Sequence, residues 1–92
     1  MELEVGTEVP EELHRLVRWL RERAGMQQRE LAAALDVVPA TVMCWETEPG
    51  KRHARPIRAE QLAALLTLAG LDGDERIDGI AFRAMAAARA GA

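Results

Sequence analysis

Residue types on which several protein classes depend are scarce in this chain of 92 residues. It contains one cysteine, one phenylalanine, two tryptophans and no tyrosine. A lone Cys44 cannot form an internal disulfide, and no histidine or second cysteine accompanies it at a metal-ligand spacing. We therefore expect no disulfide framework and no metal site, and the sequence indicates no other cofactor.

Long apolar runs and catalytic motifs are missing as well. No run approaches the about 18 apolar residues of a membrane-spanning helix, and the acidic start is unlike a signal peptide, so we expect a cytoplasmic protein that does not bind membranes. His14 and His53 have no evident nucleophile partner, and no glycine-rich phosphate loop is present. These absences argue against an enzyme.

Negative charge predominates overall but not in the middle of the chain. The net charge of −3 disfavours a nucleic-acid partner when it is taken alone. Residues 1–12 contain five acidic residues and no basic one, whereas residues 13–69 contain nine Lys or Arg against six Asp or Glu. Residues 70–92 contain three basic and four acidic residues. Any DNA-binding surface is therefore expected between residues 13 and 69.

The most informative pattern lies between Gln27 and Glu46, where apolar residues fall on two successive helix faces. Asp36 separates the two faces, and aspartate tolerates the left-handed backbone that a sharp turn between helices requires. The spacing predicts a helix-turn-helix. The apolar residues are Leu31, Ala32 and Leu35 on the first face and Val42 and Trp45 on the second, with Val37 between them.

Helical periodicity elsewhere predicts an all-α fold of five helices, because no segment shows the alternation of a strand. We expect a flexible acidic arm over 1–8, a helix-turn-helix domain over 9–71 and a C-terminal helix within 72–92 that packs or dimerises. The predicted helices begin at Val9–Pro10 and end at Gly25 for the first, then span Gln28–Leu35, Pro39–Glu46, Arg58–Ala69 and Asp74–Ala88.

Several short motifs stand at fixed spacing along the chain, and together they carry a family resemblance. From Leu16 to Gly70 the chain resembles the Cro/C1-type (XRE-like) helix-turn-helix transcriptional regulators. The resemblance implies a compact lambda-repressor-like bundle that binds operator DNA as a homodimer, and some members are antitoxins that also bind a toxin. The matching segments are Leu20 to Met26, Gln28 to Ala32, Leu35, Val37, Thr41-Val42, Trp45-Glu46, Gly50-Lys51 and Arg55-Pro56.

Two groups of residues are candidates for contact with DNA. The resemblance places Gln28 at a DNA phosphate, and basic residues close to the second and third helices are expected to contact phosphates as well. The start of the third helix is expected to contact bases, with apolar side chains against thymine methyl groups. The phosphate candidates are Gln28, Arg29, Lys51, Arg52 and Arg55, and the base candidates are Val38, Pro39, Ala40, Thr41 and Cys44.

The apolar stripe of the last helix has two interpretations. Ile77, Ile80, Ala81 and Met85 form either a two-fold interface with a second copy or part of the core of their own chain. The leading prediction is a sequence-specific repressor that binds double-stranded DNA as a homodimer through the third helix. The alternative is a protein-interaction module, such as an antitoxin bound to its toxin, with weak or lost DNA binding.

Overall fold

The computed structural model describes residues 8–91, and within them the chain forms five α-helices and no β-strand. The predicted all-α bundle, with a helix-turn-helix built from its second and third helices, is confirmed. No helix in this range is both long and apolar enough to cross a membrane. The helices are α1 (Leu13–Arg23), α2 (Gln28–Ala34), α3 (Pro39–Trp45), α4 (Ala59–Leu68) and α5 (Glu75–Ala90).

One hydrophobic core joins the five helices. Each helix contributes the apolar residues that recur at its own helical spacing, and their burial is the main source of stability. The C-terminal helix α5 contributes to this core in the same way as the others, so it is part of the same packed unit as the helix-turn-helix. Representative core residues are Leu16 and Leu20 of α1, Leu31 of α2, Val42 of α3, Leu65 of α4 and Ile77 of α5.

Local sequence fixes where the helices begin and end. The carboxylate of Asp74 accepts hydrogen bonds from the backbone N–H groups of Arg76 and Ile77, at 3.0 and 3.1 Å, and so caps the start of α5. Gly25 and Gly70 follow α1 and α4 with φ of +72° and +75°, a conformation that glycine adopts without steric cost.

The structure corrects the predicted start of the first helix. α1 begins at Leu13 rather than at Val9–Pro10, because Glu12 has an extended backbone with φ −86° and ψ 134°. Val9 precedes α1 and is still buried in the core, and Ile57 of the loop before α4 is buried there as well. At the other end, α5 continues to Ala90, two residues beyond its predicted end, through an alanine-rich sequence that favours helix. The predicted flexible arm lies outside the described residues except for Glu8.

Candidate nucleic-acid interface

The turn between α2 and α3 sets the angle at which α3 leaves α2. Asp36 has a φ of +57°, the one positive value among the described non-glycine residues. The backbone N–H of Val37 donates to the carbonyl oxygen of Ala32 at 2.9 Å, and that of Asp36 to Ala33 at 3.3 Å. This pair of hydrogen bonds is the Schellman motif, which satisfies the last carbonyl groups of α2. The predicted left-handed turn at Asp36 is confirmed.

Helix α3 has one face in the core and one face in solvent. Val42 and Trp45 are buried, while Pro39 occupies the first helical position, where its missing N–H has no cost. Val38, immediately before the helix, is 62% exposed and Met43 is 49% exposed. Of the five residues predicted to contact bases, Val38, Pro39 and Ala40 are exposed, and Thr41 and Cys44 are partly buried.

A cluster of three polar side chains holds the end of α3 against α1 and α2. Arg21 donates to both carboxylate oxygens of Glu46, at 2.6 and 3.0 Å, and to the carbonyl oxygen of Met26 at 2.9 Å. The side chains of Arg21 and Glu46 are only 13% and 7% exposed. The hydrogen bond with Glu46 raises the pKa of Arg21, which means that this contact favours the charged guanidinium.

Gln28 belongs to the same cluster, which changes the role expected of it. Its amide nitrogen donates to Oε1 of Glu46 at 3.2 Å, so one amide hydrogen is directed into the protein. A phosphate contact by Gln28 would use the second hydrogen of that amide. Arg29, the next residue along α2, is exposed and forms no ion pair with any described residue.

The loop after α3 exposes basic side chains, and a hydrogen bond joins this loop to the end of that helix. The backbone N–H of Arg55 donates to the carbonyl oxygen of Cys44 at 3.1 Å, which fixes this part of the loop against the end of α3. Arg52 and Arg55 are exposed and have no carboxylate partner in the described range, whereas Lys51 lies 4.0 Å from Glu48. Two unpaired guanidinium groups are therefore available to an anionic ligand.

The predicted dimer residues divide between the core and the surface. Ile77, Ile80 and Ala81 are buried inside their own chain, because their stripe on α5 faces α1 and the rest of the core. For these three residues the burial supports the core interpretation of the stripe. Met85 is partly buried at the edge of the same packing.

Two exposed apolar side chains lie outside the predicted site residues. Met43 was not among the base candidates, although it follows Pro39 by four residues and so shares its helix face. Phe82 is 77% exposed on α5, the most exposed large apolar side chain in the described range. Its position off the buried stripe of α5 predicts that it is exposed, but nothing in the sequence predicts what it does.

The described residues include no group of three or more His, Cys, Asp or Glu side chains that could hold a metal ion. The side chains of α3 and the loop after it are mostly apolar groups and cations, together with the hydroxyls of Thr41 and Thr47, the thiol of Cys44, the carboxylate of Glu48 and the imidazole of His53. The exposed cations of this loop can bind a polyanion.

Comparison with known proteins gives one match. A family model described as a helix-turn-helix domain matches residues 12–77, which covers α1 to α4 and the first turn of α5. Separate comparisons with curated proteins and with solved structures found no match. Because the family model spans most of the chain and its central motif is the α2–α3 unit described above, the protein belongs to the helix-turn-helix domain family.

Proposed function

We propose that this protein is a sequence-specific DNA-binding transcriptional regulator that represses genes by occupying an operator as a homodimer, with α3 in the major groove. One observation carries the proposal. The backbone carbonyl of Cys44, at the end of α3, accepts a hydrogen bond from the backbone N–H of Arg55, in a loop that exposes two guanidinium groups with no carboxylate partner in the described range. A helix that enters the major groove needs cations beside it, because the phosphates lie on both sides of that groove.

In this mechanism the loop supplies affinity through phosphate contacts, and α3 contacts the bases in the groove. Arg52 and Arg55 neutralise phosphates and release counterions, and Arg29 extends the contact along α2. Lys51 joins them once DNA competes with Glu48, since that exposed pair is weak. Gln28 contacts a phosphate while it remains bonded to Glu46.

The experiment is a titration of labelled duplex DNA, first selected from a random library, at several salt concentrations. We expect Arg52→Ala and Arg55→Ala each to reduce the slope of log K against log salt by about 1, and to weaken binding to all sequences alike.

Arg76→Ala is the matched control for this titration. Arg76 is an exposed arginine near the start of α5 and precedes Arg89 by 13 residues. It therefore lies roughly 20 Å along the helix from Arg89, at the end of α5 that is near the loop after α3. The proposal fails if no duplex binds at low salt, or if Arg76→Ala lowers the slope as much as the loop variants do.

The homodimer requires a surface other than the buried stripe of α5, and a second stripe of that helix is suited to it. Asp78, Phe82, Met85 and Arg89 recur at helical spacing, and all but the partly buried Met85 are exposed. They border a groove of about 380 Å³ between α4 and α5, whose other wall includes Leu62. We call these four residues the α5 stripe.

The order of residues along the α5 stripe is self-complementary. A two-fold axis midway between Phe82 and Met85 pairs each of them with the other in a second, antiparallel copy. The same axis places Asp78 of one copy opposite Arg89 of the other, because the midpoint between residues 78 and 89 is also the midpoint between residues 82 and 85. Apolar contacts then lie at the centre and opposite charges at both ends, and two α3 helices become available for two half-sites about 34 Å apart.

A protein-interaction module is the second candidate function, and the apolar exposure of Val38 and Met43 is the observation that favours it. An antitoxin would cover this face with its toxin instead of with DNA. Co-purification with the product of an adjacent gene, combined with no DNA shift at low salt, would favour this function over the repressor.

A further inference from the structure

The exposed face of α3 lacks the side chains that distinguish most base pairs. Paired hydrogen bonds to guanine come from Arg or Lys, and those to adenine come from Asn or Gln, while Asp or Glu accepts from cytosine. None of these six residue types occurs in α3, whose sequence is PATVMCW. Of the two hydroxyls here, that of Thr41 belongs to a partly buried residue, and that of Thr47 already donates to the carbonyl oxygen of Met43 at 2.8 Å.

The same face exposes apolar surface where base contact is expected. Val38 and Met43 are two of the four large apolar side chains that are exposed in the described range, and both belong to this short segment. Pro39 and Ala40 lie between them and are also exposed. In the major groove the apolar group presented by a base pair is the C5-methyl group of thymine.

The charges around this face argue that its occupant is DNA rather than an apolar protein surface. The exposed guanidinium groups of Arg52 and Arg55 lie on the loop bonded to the end of α3, and neither is neutralised within residues 8–91. A protein partner of apolar character would leave both charges uncompensated, whereas a duplex supplies phosphates on either side of its methyl groups.

We propose that α3 recognises C5-methyl groups of pyrimidines in the major groove, through Val38, Pro39, Ala40 and Met43, and that this contact supplies the sequence specificity. The proposal rests on the DNA-binding function above and names the chemical group that it selects. One consequence follows directly. A 5-methylcytosine carries its methyl group at the same ring position as thymine, so cytosine methylation at a contacted step strengthens binding.

The test uses four versions of one selected duplex, which carry thymine, uracil, cytosine or 5-methylcytosine at a single contacted position with the matching partner base. Thymine and uracil differ only by the methyl group, and so do 5-methylcytosine and cytosine. We expect loss of the methyl group to weaken binding about fourfold in both pairs, the value for one buried methyl-sized group. If the methyl group changes the affinity equally in the thymine–uracil pair and in the 5-methylcytosine–cytosine pair, the protein recognises the methyl group itself and not the base pair that carries it.

The protein side of the test is the variant Met43→Gln, which has a side chain of similar length and adds an amide. We expect it to bind DNA with the same salt slope but with a thymine-to-uracil affinity ratio near one. Leu68→Ala is the control, because Leu68 is an exposed apolar residue on α4. It should leave that ratio unchanged.

Equal affinity for thymine and uracil duplexes, with salt-dependent binding intact, overturns this proposal and leaves the DNA-binding function standing. A methyl effect of the same size in Met43→Gln and in the unsubstituted protein also overturns the role given to Met43. Absence of salt-dependent binding to any duplex would remove the proposed function itself, and this inference with it.

Discussion

Glu46 is the residue on which the orientation of α3 depends most. It is the C-terminal cap residue of α3, and its carboxylate accepts from Arg21 of α1 and from Gln28 of α2. A charge that is 7% exposed is stable only while its partners remain, because an unpaired buried charge is costly. The cluster of Arg21, Gln28 and Glu46 therefore fixes α3 relative to both preceding helices.

Loss of Glu46 should destabilise the fold markedly. We expect Glu46→Ala to lower the free energy of unfolding by about 2–4 kcal/mol, because Arg21 keeps its charge and loses both of its carboxylate hydrogen bonds. The double variant Arg21→Met with Glu46→Leu should lose clearly less unfolding free energy than the sum of the losses in Arg21→Met alone and Glu46→Leu alone. Urea denaturation measures both quantities.

Glu48→Ala is the control for that cycle, since Glu48 forms an exposed pair with Lys51. It should leave the free energy of unfolding within experimental error of the unsubstituted protein. Additive losses in the Arg21 and Glu46 cycle would contradict the coupling inferred from the geometry.

The turn between α2 and α3 shows how one backbone conformation sets the geometry of two helices. Asp36 has a φ of +57°, and the hydrogen bonds of Val37 and Asp36 to the end of α2 depend on it. A β-branched residue has high steric strain in this conformation, whereas glycine has none. The position is thus sensitive to backbone preference rather than to side-chain contacts.

Two substitutions at Asp36 separate these effects. We expect Asp36→Val to lower the free energy of unfolding by about 1–2 kcal/mol, because valine is strained at positive φ. Asp36→Gly should change it by less than about 1 kcal/mol, since relief of strain offsets the greater freedom of the unfolded chain. Thermal unfolding of the two variants is the measurement, and equal losses would argue against backbone strain as the cause.

The elements that sequence predicted well are those whose signal is local. Helical spacing of apolar residues located α1 to α5, and a left-handed turn at Asp36 followed from the chemistry of aspartate. The contact between Arg21 and Glu46 joins residues 25 positions apart, and no periodicity predicts which carboxylate an arginine will meet. Ile57 was missed for a similar reason, because a lone apolar residue in a loop carries no pattern.

Local pattern was also insufficient for the surface of α5. An apolar stripe at Ile77, Ile80 and Ala81 is equally compatible with a core and with an interface, and only the packing of α5 on α1 distinguishes them. The exposed base and phosphate candidates Val38, Arg52 and Arg55 were correctly expected on the outside. Their contact with DNA stays a prediction.

At the scale of the whole molecule, the overall negative charge is compatible with DNA binding because the basic residues are grouped. The net charge is −3, but the loop beside α3 exposes Lys51, Arg52 and Arg55. Local potential rather than net charge determines where a polyanion binds. The α5 stripe would then join two such molecules through a surface that does not include the basic loop.

Charge reversal tests the α5 stripe as the dimer surface. We expect Asp78→Arg to weaken the dimer, because it places like charges opposite each other at both ends, and Phe82→Ser to weaken it by removing the central apolar contact. Combining Asp78→Arg with Arg89→Asp should restore association, since the charges are exchanged but remain opposite. Sedimentation equilibrium measures the monomer–dimer constant, and a double variant as weak as Asp78→Arg alone would contradict the pairing.

The central claim is that α3 and the loop after it form the DNA-binding surface, and NMR of the ¹⁵N-labelled protein titrated with a selected duplex tests it most directly. The predicted result is that the largest shifts occur at the backbone amides of Ala40, Met43 and residues 51–55, with small shifts at the start of α5. Shifts centred on Phe82, or none at low salt, would contradict the account.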